Sequence, residues 1–200
     1  TDLDIILPDW VYEGGTAKEK KRLGDPLCRE RIIKEMEQEG VSKEFWGTIM
    51  ISSVFNKDKR SYEGKTIAEI STTLKVPPLE FVLDLLYEED CRVSVIFFNM
   101  SEENLARILK WDFVMVGSDS SLRSLKGVLN YGKPHPRGYG TFSRVIRKYV
   151  NQTSILSIED AIYKMTGFPA QKLGLEDRGI LKEGFFADIT IFDQETIAEQ

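Results

Sequence analysis

Between positions 66 and 119 the chain alternates helical patterns with short apolar runs, and nothing else in the sequence limits the possible folds as strongly. Thr66 followed by Glu69 is a capping box, in which hydroxyl and carboxylate each satisfy a backbone N–H at a helix start. Ile67, Ile70 and Leu74 then fall on one face of that helix. Pro77 and Pro78 end it and open another, expected over 78–88, with Phe81, Val82, Leu85 and Leu86 on its buried side. Residues 92–98 follow as an almost unbroken apolar run, apolar on both faces as a covered parallel strand would be. Ser101 caps a third helix through Lys110, and Phe113, Val114, Met115 and Val116 form a second apolar run closing on Gly117-Ser118-Asp119. Helix, strand, helix, strand with apolar strands predicts an α/β fold with parallel pairing.

The flanks are less regular. Positions 7–15 read as a loop, followed by a short helix over 18–23 and a longer one over 26–39 that ends at Gly40. Residues 46–55 predict a strand and 56–64 a charged loop. After a Gly/Pro-rich stretch over 127–140, helices are expected over 142–150 and from the Ser157 cap through Leu173 to Gly174. The final segment is turn-rich from Asp177 to Gly184 and alternates over 186–192, which predicts a short β element of a different module.

Two hundred residues, 42% of them hydrophobic, can bury one good core or two small ones. Both signs of charge are interspersed and the net charge is -5, which argues against a nucleic-acid partner, since that binding needs a basic stripe. No apolar run approaches the roughly 20 residues that cross a bilayer, so no membrane partner is expected. The two cysteines, Cys28 and Cys91, predict buried free thiols and a cytoplasmic setting. The chain starts at Thr1 without an initiator methionine, and the expectation is a processed or excised piece.

Few groups are placed for chemistry. Asp119 follows an apolar run at the end where a parallel sheet gathers its working residues, with Gly117 and small hydroxyl residues leaving space around it. It also reads as a turn aspartate that caps the next segment. His135, the one histidine, lies in Lys133-Pro134-His135-Pro136-Arg137-Gly138, where two prolines fix the backbone around an imidazole and a guanidinium. Such a pair can bind a carboxylate or orient a neighbouring acid; it can equally be an exposed proline loop. One histidine falls short of the ligand set of a catalytic zinc, which takes about three protein ligands. P-loop, G-x-S-x-G and paired C-x-x-C patterns are absent from the sequence.

The stretch Gly179-Ile180-Leu181-Lys182-Glu183-Gly184-Phe185-Phe186-Ala187-Asp188-Ile189-Thr190-Ile191-Phe192 resembles the G-x-[IL]-x-x-G-x-x-A-D-[LI]-x-[VI]-[FW] ending of many amidohydrolases. Upstream, Tyr62-Glu63-Gly64-Lys65-Thr66, Met100-Ser101-Glu102-Glu103 and Val116-Gly117-Ser118-Asp119 occur in order. They are followed by His135-Pro136-Arg137-x-x-Gly140-Thr141-Phe142, Ser157-x-Glu159-x-Ala161-x-x-Lys164-Met165-Thr166 and Pro169-Ala170. In this combination the chain is similar to the C-terminal portion of the N-acyl-D-amino-acid deacylases, or D-aminoacylases, over nearly its whole length.

The resemblance implies the C-terminal part of a TIM-barrel amidohydrolase with an inserted small domain and a terminal β-sandwich segment. Residues 1–64 would be the insertion over the active-site mouth, 65–176 the barrel portion and 177–200 the returning sandwich segment. It implies Asp119 as the general base that takes a proton from metal-activated water, Phe97 and Met100 in the acyl pocket, and His135 and Arg137 beside the site. The metal, zinc, would be held by residues upstream of this chain, and this chain alone would bind none. The implied partners are an N-acyl-D-amino-acid substrate and the N-terminal part of the barrel. An open half-barrel with exposed strand edges also makes a homo-oligomer an expectation. Two departures stand out: Ser120 where the family carries glycine, and Ser143 where it carries proline. Two other readings compete. One is a cyclic-amide hydrolase of the hydantoinase or dihydroorotase kind, against which the H-P-R-x-x-G-T-F pattern argues. The other is a non-catalytic domain that kept the fold.

Overall fold

The computed structural model describes residues 1–199, and the last position of the expected sandwich segment, Gln200, lies outside the described residues. The chain divides into two compact units, Thr1–Asn99 with Tyr131–His135, and Met100–Asn130 with Pro136–Gln200.

The first unit is built around a two-stranded sheet, β1 (Ile49–Val54) and β2 (Val93–Phe97). The pairing is antiparallel, with Ile49 opposite Phe97 and Val54 opposite Val93, and it is irregular between Ile51 and Ser53. This corrects the parallel arrangement expected from the apolar run at 92–98. Burial on both faces, not strand direction, is what such a run reports, and here the helices supply the cover. Around the sheet lie α1 (Thr16–Leu23), α2 (Pro26–Gln38), α3 (Ile67–Leu74) and α4 (Pro78–Glu88). The Thr66–Glu69 capping box starts α3, and Pro78 sits in the first turn of α4, where its missing N–H costs nothing. Asp25 caps α2 by accepting the Cys28 N–H. The expected strand over 46–55 begins later, because Phe45–Thr48 forms a 3₁₀ turn that buries Trp46.

The core of this unit joins Leu3, Leu7 and Val11 to Leu23, Ile32, Ile49, Ile51, Ile67, Val82, Leu83, Leu86 and Val93. Each such side chain removed from water contributes about 1.5–3 kcal/mol before chain entropy is counted. Both sheet edges are covered, which removes the bare edges expected of an open half-barrel. The Ile51 N–H donates to the Lys65 carbonyl on one side and the Val95 N–H donates to the Thr1 carbonyl on the other. Asp90 and Cys91, between α4 and β2, both take left-handed backbone angles. Two neighbours on α1 flank that turn: Lys20 pairs with Asp90, and Glu19 is buried close enough to the Cys91 thiol for each to shift the other's titration. At the end of α4, Glu89 is buried as well, and one of its oxygens accepts the N–H groups of Phe55 and Asn56 at 2.7 Å each.

The second unit contains α5 (Glu102–Leu109), α6 (Arg137–Arg144), a π-helical segment (Val145–Gln152), α7 (Ile158–Met165) and α8 (Gly167–Lys172). Its core is small: Leu109, Val145, Tyr149, Leu156 and Ala161. The single helix expected from Ser157 to Leu173 is broken at Thr166 (φ -133°, ψ -83°). Pro169 accounts for the break, since it has no N–H to donate and its ring excludes the carbonyl four residues back.

The strands expected at 113–116 and 186–192 do not form. In the first case a lysine takes the place of a neighbouring strand. Lys164 is buried on α7, its Nζ donates to the carbonyls of Trp111 (2.5 Å) and Val114 (3.1 Å), and its own carbonyl accepts the Val116 N–H. In the second, Ile189 and Ile191 are exposed and no strand pairs with the segment among the described residues. Strand pattern alone does not make a strand where no partner edge is available. No helix among the described residues is long and apolar enough to cross a membrane.

Candidate active site around Asp119

The residues that point to chemistry are distributed over the two units. Phe97 and His135 belong to the first, and Met100, Asp119 and Arg137 to the second. Phe97 ends β2 and is half-buried against the core, so it is accounted for by packing. Met100 is 79% exposed just ahead of α5. His135 lies two residues after Lys133, whose N–H donates to the Ser52 carbonyl at 2.6 Å and so ties this proline-rich stretch to β1.

Asp119 does not follow a strand, which corrects its expected setting at a strand's C-terminal end. It follows the irregular stretch pinned by Lys164, whose last anchor, Val116, lies three residues upstream. Beyond that anchor the backbone turns, and Asp119 adopts a left-handed conformation at φ 47°. Aspartate tolerates this region better than most side chains, yet the geometry is uncommon outside turns and sites. The turn throws the carboxylate outward: its side chain is 91% exposed, and Oδ2 lies 3.1 Å from Nη2 of Arg137.

Arg137 is the first residue of α6, directly after Pro136, whose angles (φ -55°, ψ -19°) are already helical. The prolines thus start the helix at Arg137, five residues before the start expected from the sequence at 142, and fix where its guanidinium begins. The Thr141 hydroxyl donates to the Arg137 carbonyl at 2.9 Å within the same helix. Gly138 comes next. A Cβ placed on it would lie 2.8 Å from Ser120 Oγ and 3.1 Å from the Arg123 stem, so α6 approaches the Asp119 turn closely at this point. Gly138 was not singled out in the sequence. Its position directly after H-P-R was the one available signal.

Two strongly shifted groups of this unit lie on other residues. The Tyr149 hydroxyl is pushed up to about 12 by burial and by the Glu102 carboxylate to which it donates at 2.6 Å. Glu199 is held down to about 2, chiefly by Arg147, with Arg144 adding to it. Both sets anchor helices or the C-terminal segment. The apolar cleft of about 410 Å³ in this unit, lined by Tyr163, Gly167, Ile180 and Phe185 among others, includes neither Asp119 nor Arg137. The cleft has polar groups of its own, Glu176, Arg178 and Tyr163 among them, but none of the residues singled out in the sequence lines it.

The donor set for a metal was tested against the same geometry. Among the described residues no three of His, Cys, Asp or Glu are grouped to hold an ion. Cys91 is buried, with its thiol pushed up to about 12 by burial and by Glu19, far from the thiolate a metal requires. The described residues, taken by themselves, do not group into the donor set of a zinc site.

Residues 117–199 match the amidohydrolase family. The chain is 40% identical over 110 residues to the N-acyl-D-glutamate deacylase of Alcaligenes xylosoxydans xylosoxydans, a match covering 55% of this chain and 21% of that protein. It is 40% identical over 106 residues to the D-aminoacylase of the same organism, covering 53% of this chain and 20% of that protein. Among solved structures it is similar to N-acyl-D-glutamate deacylase from Bordetella bronchiseptica, complexed with zinc and a phosphonate inhibitor that mimics the reaction's tetrahedral intermediate. That likeness has a TM-score of 0.67 at 27% identity and covers 84% of this chain and 36% of the other. The matches therefore span about a fifth of the length of these two curated relatives.

Proposed function

Because this chain belongs to the D-aminoacylase branch of the amidohydrolases, we propose that it is the part of an N-acyl-D-amino-acid deacylase that carries the general base. The reaction is hydrolysis of an N-acyl amide to a carboxylate and a D-amino acid. Water adds to the acyl carbon, Asp119 takes the proton that water loses, and the same carboxyl then delivers it to the leaving nitrogen as the C–N bond breaks. The observation that carries this reading is the Asp119 carboxylate itself. It is exposed, presented on a left-handed turn and paired with Arg137 at 3.1 Å, within the span that matches the family. Exposure keeps the carboxylate reachable by water and substrate, and the contact with Arg137 gives it a fixed direction.

Zinc, named with the Bordetella enzyme, does not fit the residues here, so its ligands are assigned to the protein outside this chain, along with the remaining strands of a (β/α) barrel. On this reading Arg137 belongs beside the reacting groups. Met100, exposed ahead of α5, is available to an acyl group, while Phe97 and His135 are assigned to the substrate's surroundings by resemblance alone. An assay of the zinc-loaded protein carrying this chain tests the function. Release of a free amino acid from N-acyl-D-amino acids, in preference to their L forms and to cyclic amides, is expected. Opening of cyclic amides with no release from linear N-acyl substrates would overturn it.

A further inference from the structure

In the second unit, residues 194–199 are fastened at both ends to the helical stretch formed by α6 and the π-helical segment. At one end Asn151 Nδ2 donates to the Gln194 carbonyl at 2.5 Å, and Gln194 Nε2 donates back to Asn151 Oδ1 at 3.3 Å. At the other end Arg147 grips both carboxylate oxygens of Glu199, with Nε reaching Oε2 at 2.7 Å and Nη2 reaching Oε1. Arg144 Nη1 adds a contact to Oε1 at 3.0 Å. A planar fork on a carboxylate is among the stronger charge-assisted arrangements. Gly140 lies beneath this end. It is buried, and a Cβ built on it would stand 3.0 Å from the Glu199 Cα and closer still to the Glu199 Cβ. Those atoms move only with the backbone, so a side chain at 140 and a seated Glu199 exclude each other. Between the two ends Glu195, Thr196 and Ala198 are exposed, and Ile197 belongs to neither core cluster. The segment is held at its ends.

The helix it grips is of an uncommon kind. Val145–Gln152 is π-helical over eight residues, whereas this wide form ordinarily occurs as a single-turn bulge within an α-helix. Its last turn shows the longer reach, the Thr153 N–H donating to the Lys148 carbonyl five residues back at 3.0 Å. Val145, Ile146 and Tyr149 are its buried side chains. Two carboxylates from elsewhere in the unit hold it: Glu102 of α5 takes Lys148 and Tyr149, and Glu199 takes Arg144 and Arg147. We propose that residues 194–199 are a strap whose seating holds Val145–Gln152 in the π-helical form, and that unseating it lets these turns relax toward an α-helix. The two forms differ in whether each N–H reaches five or four residues back, so a change of form rotates Arg147 and Asn151 relative to Arg144. All three face the strap when it is seated. Relaxation therefore scatters the strap's contacts, and strap and helix share one two-state equilibrium.

The experiment reads amide exchange and backbone Cα shifts over 145–152 by NMR on the 200-residue chain. It compares Glu199→Gln, Arg147→Met, their combination and Gly140→Ala, with Glu195→Gln as the control for charge alone, since Glu195 is an exposed acid of the same segment. Glu199→Gln and Arg147→Met are each expected to speed exchange over 145–152 by roughly three- to tenfold, the range of a well-formed ion pair at a partly exposed site. Their combination should add little to either, because both remove one contact. Gly140→Ala acts from the other side of the strap and should give the same direction of Cα shifts as Glu199→Gln, while Glu195→Gln stays at the parental values. Parental exchange and shifts over 145–152 in Glu199→Gln overturn the proposal. So does a double variant whose effect is the full product of the single ones, or a Glu195→Gln protein that behaves as Glu199→Gln does. Faster exchange at 194–199 with unchanged Cα shifts over 145–152 also overturns it, since the segment would then leave without any change of helix. Should Gly140→Ala fail to fold, the Glu199 and Arg147 variants decide.

Discussion

The two units of this chain use the same kinds of residue to different ends. In the first, twenty buried residues form one cluster, both sheet edges are covered, and buried Glu89 is tied to backbone N–H groups. In the second, five residues form the cluster, while Met100, Phe113, Leu122, Leu125, Val128, Leu181 and Ile191 are exposed. A core of the first kind fixes its own geometry. A unit of the second kind has apolar surface without a covering element among the described residues, and its order at Asp119 rests on a few polar anchors: Lys164 on the carbonyls of Trp111 and Val114, and α6 on the turn. The comparison teaches where disruption will be felt. The first unit is set by volume, the second by individual hydrogen bonds and ion pairs.

The largest effect that can break this contrast is a cavity. Leu83→Ala, at a fully buried site of the first unit, is expected to cost about 2–5 kcal/mol in urea unfolding. Val128→Ala, at a side chain 93% exposed in the second unit, should stay within about 0.5 kcal/mol. Equal losses would remove the distinction. Next in size is Glu89→Ala, which leaves the Phe55 and Asn56 N–H groups without their acceptor and is expected to cost about 2–4 kcal/mol by the same measurement. A loss under 1 kcal/mol would mean that water replaces the carboxylate.

The smallest effects sharpen the contrast, because Glu19 in the first unit and Glu199 in the second carry opposite pH signs. Glu19 is raised above its ordinary value of 4.5 by burial first, with Asp4 and Asp2 adding like charge and the Cys91 thiol and Arg22 opposing. A carboxyl raised in the folded state holds its proton there more tightly than in the unfolded chain. Its contribution is full below 4.5 and is lost as pH rises through the raised value. Glu199 is lowered to about 2 by Arg147 and Arg144, so its contribution is present above 4.5 and is lost as pH falls through about 2. The contributions of these two residues to amide exchange protection, followed against pH, should therefore fade at opposite ends. Glu19→Gln is expected to flatten the alkaline-side decline in the first unit alone, and Glu199→Gln the acid-side decline in the second alone. Unchanged slopes in either variant would contradict the assignment for that unit.

The helices of the first unit were legible in the sequence because their signals are local. The Thr66–Glu69 box, Pro78 at a helix start and the Asp25–Pro26 entry each act over a few residues. Strand partnership is not local. The apolar run at 93–97 identified a strand without its direction, and the run at 113–116 was matched by a lysine fifty residues away. The same limit applies to the candidate site. Asp119, His135 and Arg137 were visible as chemistry-bearing residues between glycines and prolines, whereas the left-handed turn at Asp119 and the approach of Gly138 to Ser120 exist only in three dimensions. Buried Glu19, Glu89 and Lys164 were unreadable for a related reason, since charged residues are ordinarily exposed and only their partners explain them.

The most direct test of the account is the turnover number of Asp119→Ala in the zinc-loaded protein carrying this chain, measured beside its zinc content. Loss of a general base predicts a kcat lower by about 10²–10⁴-fold at unchanged zinc stoichiometry. Turnover within a few-fold of the parent would contradict the role assigned to Asp119.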